Sequence, residues 1–143
     1  MMDKSLEFNQ IGDLDPALTG SSDDLFDSTK FVGHWLNTNR NTKGIAECSI
    51  APSGEQLAIT ILGAGNDAPI IWPTVPAHLL ANLEEEAGQR SGALAAVFQF
   101  GFMDAEVYIR VNRGVLVIVL HATFHDGSGR TNYVNREFFF RAD

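Results

Sequence analysis

Short apolar runs separated by compact turns follow one another from residue 31 to residue 141. The runs are rich in β-branched and aromatic residues, as in the stretch 115–120, and this composition favours strands. Glycine-containing segments at 52–54, 112–114 and 126–129 have the chemistry of tight turns. The pattern predicts eight strands, over residues 31–38, 43–51, 55–63, 69–75, 94–102, 105–113, 115–125 and 130–141.

One helix is predicted between the fourth and fifth strands. Pro76 is suited to a first helical position, Leu79, Leu80 and Leu83 give an apolar side, and Gly88 is suited to the end. Eight short strands joined mainly by hairpins, with one short helix, suit an all-β fold. We expect an antiparallel up-and-down barrel, with a β-sandwich as the alternative.

The first 29 residues differ from the rest in charge and in pattern. They carry seven acidic residues and one lysine, a net charge of −6 out of −8 for the chain. We interpret residues 1–29 as an acidic, mostly disordered arm and residues 30–143 as the barrel domain. An alternative is that Phe8, Ile11, Leu14 and Leu18, which recur at helical spacing, dock as a lid or bind a partner.

Charge and composition exclude several classes of function. Outside the arm the net charge is only −2, without the basic stripe that nucleic acids or anionic membranes require. The start of the chain lacks the features of a secretory signal, and no apolar run approaches the ~18 residues of a membrane span. Cys48 is the single cysteine, so no intramolecular disulfide can form. We expect a soluble, cytoplasmic protein.

Two resemblances refine the expected fold. Gly33-x-Trp35 on the first predicted strand resembles the opening motif of lipocalins and related calycin barrels. That resemblance implies that Trp35 closes one end of a barrel beneath an arginine from the last strand, for which Arg141 is the candidate. It does not extend to the other lipocalin motifs, nor to the usual signal peptide and disulfides.

The second resemblance covers about residues 31–141. It is to a family of small, uncharacterised barrel proteins, and it implies a fold rather than an activity. Avidin-type barrels also begin with a Trp-x-Asn strand, but their later tryptophan pattern is missing from this chain. The motifs that carry the resemblance are Trp35-x-Asn37, Thr42-x-Gly44-Ile45, Trp72 with Pro76-Ala77, Asp126-Gly-Ser-Gly-Arg130-x-x-Tyr133 and Glu137-x-Phe139.

The candidate functional residues follow from the strand alternation. Ligand pockets are mostly apolar with a few placed polar groups. His121 is the best candidate for a buried titratable group, and Glu137 could act with an arginine of its own strand. Both are catalytic candidates only if the protein is an enzyme. The aromatic and amide side chains able to line a pocket are Trp35, Asn37, Trp72, Phe98, Phe100, Tyr108 and Tyr133.

No metal or cofactor is expected, because the histidines lack ligand spacing. Three functions remain open. The first is a binding barrel for a small, largely apolar molecule. The second is a cofactor-independent cyclase or isomerase that folds a flexible apolar substrate in the cavity. The third is a filled barrel that acts as an interaction module.

Both faces of the strand 115–125 are apolar. We therefore expect its outer face to be buried by the helix, the arm or a second copy, so a homodimer is also open.

Overall fold

The computed structural model describes residues 28–81 and 92–142. A 3-10 turn, Ser28–Phe31, precedes the first strand. Within the described residues nine strands follow, all in one sheet: β1 Gly33–Asn37, β2 Ile45–Ser53, β3 Gln56–Gly63, β4 Ile70–Ile71, β5 Val75–Ala81, β6 Gly92–Gln99, β7 Met103–Asn112, β8 Val115–Phe124 and β9 Tyr133–Ala142.

The sheet closes on itself as an antiparallel barrel of eight strands. The order around the barrel is β2-β1-β9-β8-β7-β6-β5-β3, and β2 pairs with β3 to close the ring. The two-residue strand β4 pairs with the end of β3, beyond the segment of β3 that pairs with β5. The predicted all-β barrel is therefore confirmed. Closure leaves the eight strands without the free edges that invite aggregation.

One compact unit, Ser28–His78 with Leu94–Asp143, carries most of the described structure. The adjoining ends of β5 and β6, residues 79–81 and 92–93, belong to a second unit. The predicted arm lies outside the described residues, apart from its last two positions, which begin the 3-10 turn. Within the described parts of the chain, no helix is long and apolar enough to cross a membrane.

The prediction of a helix that begins at Pro76 is wrong for its first residues. Residues 75–81 form strand β5, and Ala77 pairs with Leu57 of β3. Proline is tolerated here because it costs a strand only one donor, and Val75 and Ala77 keep the period-two register on either side of it. The remainder of the predicted helix, residues 82–88, lies outside the described residues.

Alternate residues of each strand fill the barrel interior. On β8 the inward set is Leu116, Ile118, Leu120 and Ala122, all buried. Large side chains occupy the half of the lumen that contains Trp35, including Phe139, Ile50, Ile59 and Ile109, none of which is more than 1% exposed. This half is a packed core.

Trp35 lies inside the barrel and is held by two contacts. Its side chain is fully buried, and its indole Nε1 donates a hydrogen bond to the carbonyl oxygen of Phe31 at 2.9 Å. The guanidinium carbon of Arg141 lies 4.6 Å from the Trp35 ring centroid, and Arg141 also donates to the carbonyl of Lys30. The pairing follows from register, because Trp35 and Arg141 are direct neighbours on β1 and β9.

Candidate functional site

Glu137 is the centre of a polar cluster inside the barrel, away from Trp35. Asn37, two residues along β1 from Trp35, donates to Oε2 of Glu137 at 2.6 Å, and the Thr42 hydroxyl donates to the same oxygen. The backbone N–H of Ile45 and the Asn135 amide donate to Oε1 at 2.9 and 3.0 Å. Four neutral donors therefore occupy the four main acceptor positions of this carboxylate.

The segment between β1 and β2 is shaped to reach this carboxylate. Asn37 also donates to the carbonyl of Ile45 at 2.8 Å and accepts from the N–H of Asn39 at 2.7 Å, so its amide orientation is fixed. Gly44 is required by close approach, because a Cβ at this position would overlap Oε1 of Glu137. Residues of the Trp35-x-Asn37 and Thr42-x-Gly44-Ile45 motifs thus meet at the side chain of Glu137.

A cavity of about 260 Å³ lies beside the Glu137 cluster. Its polar side contains Asn135 and Glu137, while the rest of its wall is largely aromatic and aliphatic. The lining residues are Lys43, Gly44, Ile45, Gly63, Ala64, Ile70, Trp72, Phe100, Phe102, Met103, Leu120, Tyr133, Asn135 and Glu137.

The aromatic wall is held by ring contacts. Trp72 meets the rings of Phe98 and Phe100 edge-to-face, each at 5.1 Å between centroids, and Phe98 and Phe100 stack at 6.4 Å. Phe98 is fully buried behind the wall and supports it. The Trp72 indole enters the lumen over Gly63, where a Cβ would lie only 2.8 Å from Nε1. The missing side chain of Gly63 therefore makes room for the indole.

A second, more open and more polar hollow of about 610 Å³ lies outside the same cluster. It shares Lys43, Gly44, Tyr133, Asn135 and Glu137 with the inner cavity. Asn39, Asn41 and Arg136 belong to this outer hollow only. The Glu137 cluster therefore forms part of the wall of both spaces.

Arg130, in the loop between β8 and β9, lies over the ring of Phe102, which lines the cavity. Its guanidinium lies 5.3 Å from the ring of Phe102 and 4.4 Å from that of Phe124, and it pairs with Asp126 at 2.5 Å. Hydrogen bonds from Ser128, and then Arg130, lower the pKa of Asp126 to about 2. The predicted tight turn at 126–129 is thus held by contacts among Asp126, Ser128 and Arg130.

Not every residue predicted from the sequence reaches this cavity. Trp72, Phe100, Tyr133 and Glu137 line it, and Asn37 holds Glu137 from behind. Trp35 lies in the packed half, in contact with Arg141. Phe98 supports the wall without lining the cavity.

His121 and Tyr108 are on the outside of the barrel, so the prediction of a buried His121 is wrong. His121 is exposed and lies edge-to-face with the Tyr108 ring at 6.1 Å between centroids. Tyr108 is 39% exposed and is the neighbour of outward-facing Val119. Because both faces of β8 are apolar, alternation alone could not decide which face is inside.

The outer face of β8 is half-buried to exposed among the described residues, and its expected burial by the helix, the arm or a second copy stays a prediction. Val115 is 39% exposed, and Val134, Phe138 and Phe140 of the neighbouring β9 are 62%, 43% and 45% exposed.

The sequence did not identify Lys43, Gly63, Phe102 and Asn135 as cavity residues. The signal for Asn135 was its position two residues before Glu137 on the inward face of β9.

Cys48 is fully buried in the barrel, and this burial raises the pKa of its thiol to about 12. The protonated thiol is not a nucleophile at neutral pH. Among residues 28–81 and 92–142, no three His, Cys, Asp or Glu side chains are grouped so as to hold a metal ion.

Comparison with known proteins gives no relative. No family model matches the chain, and neither a curated protein nor a solved structure matches it. The cavity is therefore the feature from which a function can be inferred.

Proposed function

We propose that the barrel binds a small, largely apolar molecule in the 260 Å³ cavity beside Glu137. The observation that carries this proposal is an empty space lined by aromatic side chains in one half of the lumen. The other half is filled with packed side chains. Binding sites for small molecules typically occupy about 300–1,000 Å³, with mostly apolar linings and a few polar groups. The volume lies just under that range and suits a compact ligand.

The rigidity of the wall supports the same proposal. Trp72 is held between Phe98 and Phe100, and Glu137 is held by four donors. A site that is already shaped loses little conformational entropy when it binds, which favours affinity. The ligand would gain affinity by burying apolar surface, at roughly 25 cal/mol per Å².

Titration with N-phenyl-1-naphthylamine, a neutral apolar dye whose emission rises in apolar surroundings, tests the proposal. We expect saturable binding to the wild-type barrel with one site per chain. Leu120→Trp puts a large ring into the cavity and should weaken dye binding at least tenfold. Val134→Trp places the same ring on the exposed outer face and should leave binding unchanged.

Circular dichroism of both variants establishes that each retains the barrel. Equal dye affinity in the wild type and in folded Leu120→Trp would overturn the proposal. Native mass spectrometry of the freshly purified protein should also detect a bound molecule that is lost from Leu120→Trp. Complete absence of dye binding would favour the third function, a ligand-free interaction module.

A cofactor-independent cyclase or isomerase is the second candidate, favoured by the carboxylate of Glu137 in the cavity wall. Because protein donors fill its acceptor positions, Glu137 must release one of them, such as the Thr42 hydroxyl, before it can act. Incubation with citronellal, a flexible apolar aldehyde that also carries an alkene, should then yield a cyclic isomer of unchanged mass. As the alkene bonds to the carbonyl carbon, Glu137 would take a proton from an allylic carbon and return it to the carbonyl oxygen. Glu137→Gln should abolish that conversion, whereas no isomer with the wild type would count against catalysis on this class of substrate.

We also propose that the barrel is related to the lipocalin and calycin barrels and that it forms a homodimer. Relation to the lipocalin and calycin barrels is supported by the stacking of Arg141 on Trp35. A homodimer is supported by the exposed apolar side chains of Val134, Phe138 and Phe140 on β9. The mass of the particle in solution, compared with 15.6 kDa for one chain, tests the second.

A further inference from the structure

We infer that the cavity selects a neutral ligand that carries a hydrogen-bond acceptor such as a carbonyl oxygen, and that the indole N–H of Trp72 donates to it. This inference rests on the proposed function, because it names the chemical class of the molecule that the cavity takes. It follows from the polar atoms that the cavity wall leaves without protein partners.

Trp72 is a half-buried side chain whose only polar atom can do nothing but donate. Among the residues that the structure describes, no acceptor is bonded to Nε1 of Trp72. The other tryptophan differs, since Nε1 of Trp35 donates to the Phe31 carbonyl. A ligand that fills the cavity shuts water away from the half-buried Trp72 indole, and a buried tryptophan N–H normally finds an acceptor. The ligand would therefore have to supply that acceptor.

Neighbouring polar groups are less suited to this role. Asn135 already gives one N–H to Glu137, and the carboxylate of Glu137 offers no donor when ionised. Tyr133 is 49% exposed, so water can satisfy its hydroxyl. Lys43 is exposed, so water can satisfy its ammonium group. Trp72 is therefore the cavity residue that gains most from an acceptor.

The charges around the cavity favour a neutral ligand. Two side chains of opposite charge line the cavity, the cationic Lys43 and the anionic Glu137. Arg130, which lies over the ring of Phe102, is already paired with Asp126. An anion would meet the carboxylate of Glu137, and a cation would lose hydration without an unoccupied carboxylate acceptor to replace it. The uncharged oxygen of a ketone, ester or amide avoids both the repulsion by Glu137 and the loss of an ion's hydration.

Acetophenone and ethylbenzene form a matched pair of probes, because they have the same ring and similar shape but only the first has a carbonyl oxygen. Binding of each is measured by titration NMR of the ¹⁵N-labelled full chain. We expect acetophenone to bind about three- to tenfold more tightly, the range typical of one net hydrogen bond. Benzoate, an anionic relative of acetophenone, should bind more weakly than either.

The two indole N–H signals report the contact directly. Trp72→Phe and Trp35→Phe assign them, one signal each. Acetophenone should shift the Trp72 signal downfield and slow its exchange with solvent, while ethylbenzene should not shift it downfield. The Trp35 signal is an internal control, because its N–H is bonded to Phe31.

Trp72→Phe also separates this inference from the proposed function. In this variant the preference for acetophenone over ethylbenzene should fall to less than twofold. If both probes bind the wild type equally and the Trp72 signal does not move downfield, the inference is wrong while the cavity proposal stands. If neither probe binds, the cavity proposal itself fails.

Discussion

Replacement of Glu137 by glutamine is the most informative perturbation of the cluster. It keeps the size of the side chain but replaces one acceptor oxygen by an NH₂ donor. If the NH₂ group takes the place of Oε1, it faces the backbone N–H of Ile45. If it takes the place of Oε2, it faces the Asn37 amide, which cannot turn because Ile45 and Asn39 hold both of its ends.

At least one donor therefore loses its partner in either orientation. A hydrogen bond to a charged group contributes about 1.5–3 kcal/mol, and an unsatisfied buried donor costs about 1–3 kcal/mol. Thr42 and Asn135 can reorient to accept, which limits the loss. For a half-buried carboxylate we expect Glu137→Gln to lower the free energy of unfolding by about 2–4 kcal/mol, or roughly 6–12 °C in Tm.

Urea unfolding followed by circular dichroism measures this change, with Glu106→Gln as the matched control. Glu106 is exposed on the outer side of β7, and its described side-chain hydrogen bond is a long one, 3.4 Å, from Tyr108. The control should stay within about 0.5 kcal/mol of the wild type. Equal unfolding free energies for the two variants would refute the role assigned to Glu137.

Three further predictions concern other parts of the barrel. Cys48 should resist Ellman's reagent at pH 8 until urea unfolds the protein. Because its folded pKa is about 12 against an ordinary 9.0, stability should be fully present below pH 9 and fall as pH rises toward 12; Cys48→Ala should lose that dependence. Ser128→Ala should raise the pKa of Asp126 from about 2 toward its ordinary 3.8 in a carboxyl ¹³C titration, and an unchanged midpoint would contradict the assigned cause. Arg141→Ala should cost about 1–2 kcal/mol of unfolding free energy through the lost contact with Trp35, and a change below about 0.3 kcal/mol would contradict that contact.

Fold class could be predicted because local signals agreed along most of the chain. Turn residues at 112–114 and β-branched runs such as 115–120 specify hairpins without tertiary information. Residues 75–81 were mispredicted because Leu79 and Leu80 fit a helical stripe as well as a strand. Pairing of β5 with β3 decides the outcome there, and such pairing is not encoded locally.

The site was partly predictable. Glu137 and Asn37 are polar residues at inward positions of apolar strands, which marks them from the sequence alone. His121 was misplaced because Leu116, Ile118 and Leu120 on one face of β8 are no more apolar than Val115, Val117 and Val119 on the other. Strand register decides which face of β8 points into the barrel, since Ile118 is opposite Glu137 on β9.

The cavity itself could not be predicted from the sequence. Its volume depends on Gly63 admitting the Trp72 indole and on Phe98 and Phe100 holding it. These residues are far apart in sequence, and their joint packing decides whether a gap remains. Composition alone was equally consistent with a filled barrel.

Intermolecular NOEs from bound acetophenone to the methyl groups of the protein test the central claim most directly. The account predicts NOEs to Leu120, Ile45 and Met103, which line the cavity. It predicts none to Ile109, which is buried in the core. NOEs confined to Val115 or Val134 on the outer face would contradict the account.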